Sequence, residues 1–302
     1  MSRLISKQTL GITFTIFSGI GVAVMPTSAK LAYESGSDMI TVAVSRGIVA
    51  TTVLLLILLI LKEKLSLPRD LLRSSLISGG ACVAFVYGIY GAILYTNISL
   101  VILIIYLYPI TVALYEHITK RSRLSNKQWG FALLVCLGLV FIVGVEFENI
   151  SLIGIALSFL GLLGCVVATL ANYTVTQRIG SLRSNLYMSL WSAIVFCFSL
   201  WFFGEFKEPN SATGWAGLAA NGLGYCIAWV AFFAGARILG PTRASMITLI
   251  DPPMAAFVSW LIFEEMLTTY QWVGFAIVMM SLVGFEIQSR ASNHESSGEL
   301  PR

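Results

Sequence analysis

Asp251 stands directly before Pro252 and Pro253, inside an apolar run that includes Ile247, Leu249 and Ile250. An ionised carboxylate at the centre of a membrane helix costs ~2.5–3.5 kcal/mol on insertion scales, so acids there tend to face a bundle interior or water. Two chemistries suit such a group: exchange of a coupling proton, or capture of a solute ammonium. A structural role also fits, with the carboxylate accepting hydrogen bonds from Thr248 or an arginine. Arg46 is the basic counterpart inside a second apolar run, roughly 10 Å from its outer end at ~1.5 Å of helix rise per residue. Three roles are open to it. It can snorkel to the interface, bind a solute carboxylate, or pair with Asp251.

Polar aromatics at helical spacing supply a candidate cavity lining. Tyr87 and Tyr90 lie about one turn apart, Tyr106 precedes Pro109, and Asn221, Tyr225 and Trp229 recur at spacing four on one helix face. Tyrosine and tryptophan also populate interfacial belts, which is how Tyr95, Trp129, Trp201, Trp215, Tyr270 and Trp272 are read. A largely aromatic cavity with few charges favours amphipathic or planar solutes over sugars or inorganic ions. Pro109, Pro252 and Pro253 fall near mid-run, where each frees a backbone carbonyl. Freed carbonyls are tolerated in a membrane only against protein or a wet cavity, so these prolines mark candidate cavity walls, with a plain kink as the alternative. Glu116, beside His117, reads as a solvated or loop-pairing acid.

Several chemistries find no support. The cysteines (Cys82, Cys136, Cys165, Cys197, Cys226) all lie in apolar runs without CxxC or Cys/His spacing, which suits small packing residues. His117 and His294 lie at a loop end and in the tail, so no metal and no cofactor is expected. No phosphate-binding glycine loop is present, and no nucleophile, His/Asp dyad or metal cluster marks an enzyme.

Elements that could position these residues follow from composition. The 302 residues are 57% hydrophobic and 11% charged, with a mean hydropathy of +0.84; soluble domains carry about 25% charged residues. Ten apolar stretches stand out, at 9–28, 39–61, 74–95, 98–118, 129–147, 150–173, 186–206, 214–236, 244–263 and 270–288. Each approaches the ~20 residues that cross a hydrocarbon core. They are continuously apolar instead of alternating, which predicts helices and not barrel strands. Alternating the connections assigns 16 of the 19 Lys and Arg residues to one side. Basic loops stay cytoplasmic, so both termini are expected in the cytoplasm of a cell inner membrane. Lys30 and Lys207 remain outside. The net charge of +4 is spread over short segments, fitting anionic headgroups and no nucleic acid. Thr27-Ser28-Ala29 resembles a signal cleavage site, but cleavage would leave nine spans and is rejected.

A repeat organises the spans. Leu124, Ser125, Gln128 and Trp129 return 143 residues later as Leu267, Thr268, Gln271 and Trp272, each copy 15 residues after a proline, Pro109 or Pro252. Lys120, Arg121, Ser122 and Arg123 lead the first copy, whereas Phe263, Glu264 and Glu265 lead the second. Opposite loop charge is what two halves inserted in opposite orientations would show. The expected architecture is an all-α polytopic membrane protein of ten transmembrane helices in two inverted five-helix repeats, 9–147 and 150–288, with a disordered cytoplasmic tail at 289–302.

Pro109 through Gly130, and Asp251-Pro252-Pro253 through Gly274, carry the pattern proline, short loop, Leu-Ser/Thr-x-x-Gln-Trp-(x)-Gly. In this the chain resembles the EamA-like branch of the drug/metabolite transporter superfamily over nearly its whole length. A glutamate before the Leu-Thr is usual there; Glu264 and Glu265 supply it in the second half, while Ser122-Arg123 depart from it in the first. Members move amino acids, riboflavin, nucleotide-like metabolites and other small organics. The resemblance implies a secondary transporter working by alternating access around a midplane site. Export of an amino-acid-like or amphipathic metabolite is favoured. Import of riboflavin or another planar nutrient is the alternative, and a channel or structural membrane protein is the other class considered. Partners expected are a small-molecule solute, membrane lipids, protons as coupling ion and, as an open option, a second copy in a homodimer.

Overall fold

The computed structural model describes residues 2–144, 151–254 and 268–296, and no strand occurs among them. Helices α1 (Ser2–Glu34), α2 (Met39–Ile60) and α3 (Arg69–Ile93) are followed by a broken pair, α4 (Ile98–Ile105) and α5 (Tyr108–Ile118), and by α6 (Asn126–Val143). The second half runs α7 (Leu152–Ile179), α8 (Ser181–Phe203), α9 (Ala212–Leu239), α10 (Pro241–Ile247), a 3-10 turn (Thr248–Ile250) and α11 (Thr269–Ser296). Among the described residues, nine helical segments are long and apolar enough to cross a membrane. The remaining stretch expected from sequence, 244–263, is described only to residue 254, and Glu146, Glu148, Glu264 and Glu265 lie outside the described residues.

The repeated sequence signature has a physical meaning: it is a helix start. Ser125 accepts a bond from the Gln128 N–H, and the Gln128 side chain accepts one from the Ser125 N–H, closing a capping box at α6. Thr268 and Gln271 make the same reciprocal pair at the start of α11. Asp38 caps α2 through the Thr41 N–H at 2.9 Å.

Helix ends differ from the sequence expectation. Arg178 and Arg237 belong to the last turns of α7 and α9, while Arg183 and Arg243 lie in α8 and α10, so none occupies a loop. The reason is local. Gly180 and Gly240 adopt φ of +85° and +86°, the left-handed region open to glycine. Each lets one helix pass into the next without an intervening loop.

The two halves interleave instead of forming separate bundles. α1 packs along α9, and α3 along α7; α2 meets α8, and α6 meets α11. Exchanging the first five spans for the last five maps this set of pairings onto itself, as a two-fold pseudo-axis requires. Small residues make the closest approaches possible. A Cβ on Gly21 of α1 would overlap the backbone of Gly224 and Ala228 in α9, and one on Gly88 of α3 would overlap Gly161 of α7. Around the outside, large apolar residues such as Leu94, Leu152, Trp201 and Met280 are exposed, a surface made for lipid and not for water.

Candidate functional site

The site begins with two helix breaks. α4 ends at Ile105, and a turn at Tyr106–Leu107 holds by bonds from Tyr106 N–H to Ile102 and Leu107 N–H to Ile104. α5 restarts at Tyr108, so Pro109 occupies its first turn, where a missing N–H costs nothing. In the second half, Pro252 and Pro253 cannot donate to the carbonyls of Thr248 and Leu249. The chain tightens there to a 3-10 turn in which the Asp251 N–H bonds Thr248. The two breaks meet: the Tyr108 and Thr248 hydroxyls share a hydrogen bond.

A cavity of about 320 Å³ opens beside these breaks. Its walls come from both halves and include Met25, Arg46, Phe85, Tyr106, Tyr108, Tyr225, Trp229, Phe232, Thr248 and Asp251. Trp229 meets Phe85 and Phe232 edge-on at centroid distances of 6.5 and 6.0 Å, giving one wall a continuous aromatic face.

Two opposite charges enter this apolar space without meeting each other. The Asp251 carboxylate lies over Gly19 of α1, close enough that a Cβ there would sit 2.6 Å from its Oδ1. It has neither a hydrogen-bond nor an ion-pair partner among the described residues. Arg46 is 8% exposed and has not snorkelled out. Its Cζ lies 5.2 Å from the centroid of the Tyr225 ring, a cation–π contact, and its Nη2 has no hydrogen-bond partner. The ion pairs formed among the described residues do not include Arg46 with Asp251.

Of the residues singled out in the sequence, Asp251, Arg46, Tyr106, Tyr225 and Trp229 line the cavity. Tyr87, Tyr90 and Asn221 do not. Tyr87 packs on Phe196 of α8 at 5.7 Å, Tyr90 interacts with Tyr33 of α1, and the Asn221 amide donates to the Met25 carbonyl at 2.8 Å. For Tyr87 and Tyr90 the physical reason is azimuth. α3 turns Cys82, Phe85, Val86 and Ile89 to the cavity, leaving Tyr87 and Tyr90 on adjoining faces. Pro109, Pro252 and Pro253 are buried and set the breaks, but do not themselves line the cavity. Phe85, Phe232, Tyr108 and Gly19 were not anticipated. Phe232 had a signal, since it follows Tyr225 and Trp229 at i+7 and i+3.

Polar contacts link the helices at both ends of the molecule. At the end carrying the α5–α6 connection and Gly240, a second, polar pocket of about 270 Å³ is lined by Glu116, Arg121, Gln128, Thr242 and Arg243 among others. Glu116 is 6% exposed, which corrects its reading as a solvated acid. Helix α5 continues past it and seats it against α10, where its Oε2 accepts from the Thr242 hydroxyl at 2.6 Å. Gln128 donates to the Ser289 hydroxyl at 3.0 Å. Arg243 makes a two-pronged pair with Glu286, which also binds Arg290. At the opposite end, Ser35 and Ser211 share a bond of 2.7 Å, and Lys207 pairs with Asp38 at 3.5 Å. Burial pushes the Asp38 carboxyl up, but the Thr41 hydrogen bonds and the Lys207 ammonium outweigh it and hold the group below the ordinary carboxylate range. No group of three or more His, Cys, Asp or Glu side chains able to hold a metal ion occurs among the described residues.

Comparison with known proteins gives one family and one fold. The model of a family described as the EamA-like transporter family matches residues 9–144 and again 152–286. A solved structure described only as the crystal structure of a protein superposes with a TM-score of 0.75 at 14% identity, over 94% of this chain and 99% of that one. At that identity the likeness bears on the fold alone. No curated protein matches the sequence.

Proposed function

The chain belongs to the EamA-like transporter family, and from that premise we propose that it is a secondary transporter exporting an amino-acid-like or amphipathic metabolite by alternating access. The observation that carries this reading is the cavity between the two helix breaks, apolar and aromatic on its walls, with neither Arg46 nor Asp251 in an ion pair among the described residues. A passive scaffold gives no account of a buried arginine and a half-buried carboxylate left without an ion pair among the described residues, since a charge withdrawn from water costs several kcal/mol unless something meets it.

In this mechanism the solute packs against Phe85, Trp229 and Phe232 while its polar end meets a charged side chain. Asp251 either exchanges the coupling proton or holds a solute ammonium; in both cases it changes partner during the cycle, which suits a carboxylate with no fixed bond. The protein sits in the cell inner membrane with both termini cytoplasmic, so the Glu116–Thr242 and Gln128–Ser289 bonds close the cytoplasmic end. The Ser35–Ser211 and Asp38–Lys207 contacts close the outer one. The Glu116–Thr242 bond joins α5 to α10 and has a net worth of ~0.5–1.5 kcal/mol, so parting it costs little enough for solute or proton binding to drive it.

Purified protein in proteoliposomes, loaded with a panel of labelled amino acids and small amphiphiles and assayed at two pH values, tests the proposal. Efflux of at least one solute, accelerated by a proton gradient, is expected. Protein-dependent flux of none of them would end the transporter reading. The aromatic wall also fits a planar nutrient taken up from outside, and the same vesicles assayed for uptake of riboflavin discriminate the two directions.

A further inference from the structure

We infer that Arg46 and the face of Tyr225 form a carboxylate subsite, which makes the preferred solute a compact monocarboxylate with an apolar or aromatic body. The inference rests on the cavity being a solute site, and it adds the ionic form of the ligand and the residue that reads it.

An arginine carries five donors in a rigid planar fork and is not deprotonated in proteins. At 8% exposure the Arg46 charge cannot be left to bulk water, yet Nη2 lacks any acceptor. The neighbours that feel its charge do not neutralise it. Cys82 and Tyr225 are engaged with each other, Sγ to hydroxyl at 3.4 Å, so Tyr225 offers Arg46 only its ring. Tyr33, the other neighbour, interacts with Tyr90. The Tyr225 ring lies beside the guanidinium, and the buried Nη2, without an acceptor, belongs to the fork through which a carboxylate binds by two parallel N–H···O bonds.

Charge count narrows the ligand further. A single guanidinium, with Asp251 lining the same cavity, matches one negative charge and leaves the second charge of a phosphate monoester uncompensated. The rest of the lining is apolar, with Phe85, Trp229 and Phe232 placed for a ring or short alkyl body.

Matched pairs that differ only in charge test the assignment. 3-Phenylpropionate and 3-phenylpropionamide, with hexanoate and hexanamide as an alkyl pair, would be titrated calorimetrically into the full chain in lipid nanodiscs at pH 7. The wild type is expected to bind at least one acid at least tenfold more tightly than its amide. Arg46→Gln should bring acid and amide within about twofold of each other. Arg46→Lys, which keeps the charge but loses the fork, should fall between. Equal binding of acid and amide by the wild type, or binding of neither acid, overturns the subsite, and this comparison needs no variant to fold. Persistence of the tenfold preference in Arg46→Gln overturns it as well. Flux in proteoliposomes separates this from the wider reading. Acid-selective binding without flux would retain the subsite and remove the transporter, whereas equal flux of acid and amide, indifferent to Arg46→Gln, would do the reverse.

Discussion

Gly19 of α1 and the Asp251 carboxylate lie against each other beside the cavity, and each explains the other. Any side chain at residue 19 would strike the carboxylate at 2.6 Å, whose end is free to swing away. Gly19→Ala is therefore expected to cut transport severalfold while shifting the melting temperature little, because the clash is with a mobile side-chain tip and not with backbone. Transport at the wild-type rate would show that the carboxylate position is unimportant. Asp251→Asn removes the charge and keeps the shape. A lost charge-assisted bond of about 1.5–3 kcal/mol corresponds to a rate or affinity loss of about tenfold or more, together with loss of the pH dependence of flux. An unchanged pH profile would dismiss Asp251 from coupling. Asp38 makes a separate prediction. Its carboxyl is held below the ordinary range, so its contribution to stability is complete above that range and fades as pH falls through its lowered value. The melting-temperature gap between wild type and Asp38→Asn should accordingly close in acid. At this scale a charge within an apolar run is legible from sequence, which is why Arg46 and Asp251 could be named. Partners such as Gly19 for Asp251 are not, because they come from helices over two hundred residues away. Nor is the azimuth of Tyr87, Tyr90 or Asn221, which sequence depth alone leaves undetermined.

Among the elements, the breaks and the starts of helices were the most readable. Pro109 and Pro252 announced discontinuities, and Ser-x-x-Gln with Thr-x-x-Gln announced capping boxes, since both are local chemistry. Helix ends at Gly180 and Gly240 were misjudged for the complementary reason. Those turns consist of one left-handed residue each, and the polar residues around them continue the helices instead of breaking them. The two caps also differ in a way that can be measured. Among the described residues Gln271 bonds within its own box alone, whereas Gln128 closes its box and also donates to Ser289 across the α6–α11 contact. Losing a cap costs about 1 kcal/mol, and the second bond is worth a further ~0.5–1.5 kcal/mol. Gln128→Ala should therefore melt lower than Gln271→Ala in otherwise identical nanodiscs. Equal melting temperatures would show that the Gln128–Ser289 bond contributes nothing.

For the whole molecule, interleaving decides which parts can move. Alternating access is often pictured as one repeat rocking against the other, but α1 is packed along α9 and α3 along α7, through glycines that bring backbones together. Sliding those pairs apart would open close contacts along their length, whereas the Glu116–Thr242 bond between α5 and α10 is single and polar. The bodies that rock are therefore expected to be mixed, each holding helices from both halves, with the broken helices α4–α5 and α10 between them. Cross-linking distinguishes the two pictures. In a chain freed of its native cysteines, a short bifunctional thiol reagent joining Glu116→Cys to Thr242→Cys should hold that end shut and abolish flux. Joining α1 to α9 through Leu31→Cys and Leu218→Cys, beside the close approach at Gly217, should leave flux within about twofold of the unlinked protein. If the α1–α9 link stops transport as completely as the Glu116–Thr242 link, the repeats themselves are the moving bodies. The interleaved contacts would then have to break in every cycle, at a cost set by the tightest glycine packing in the protein.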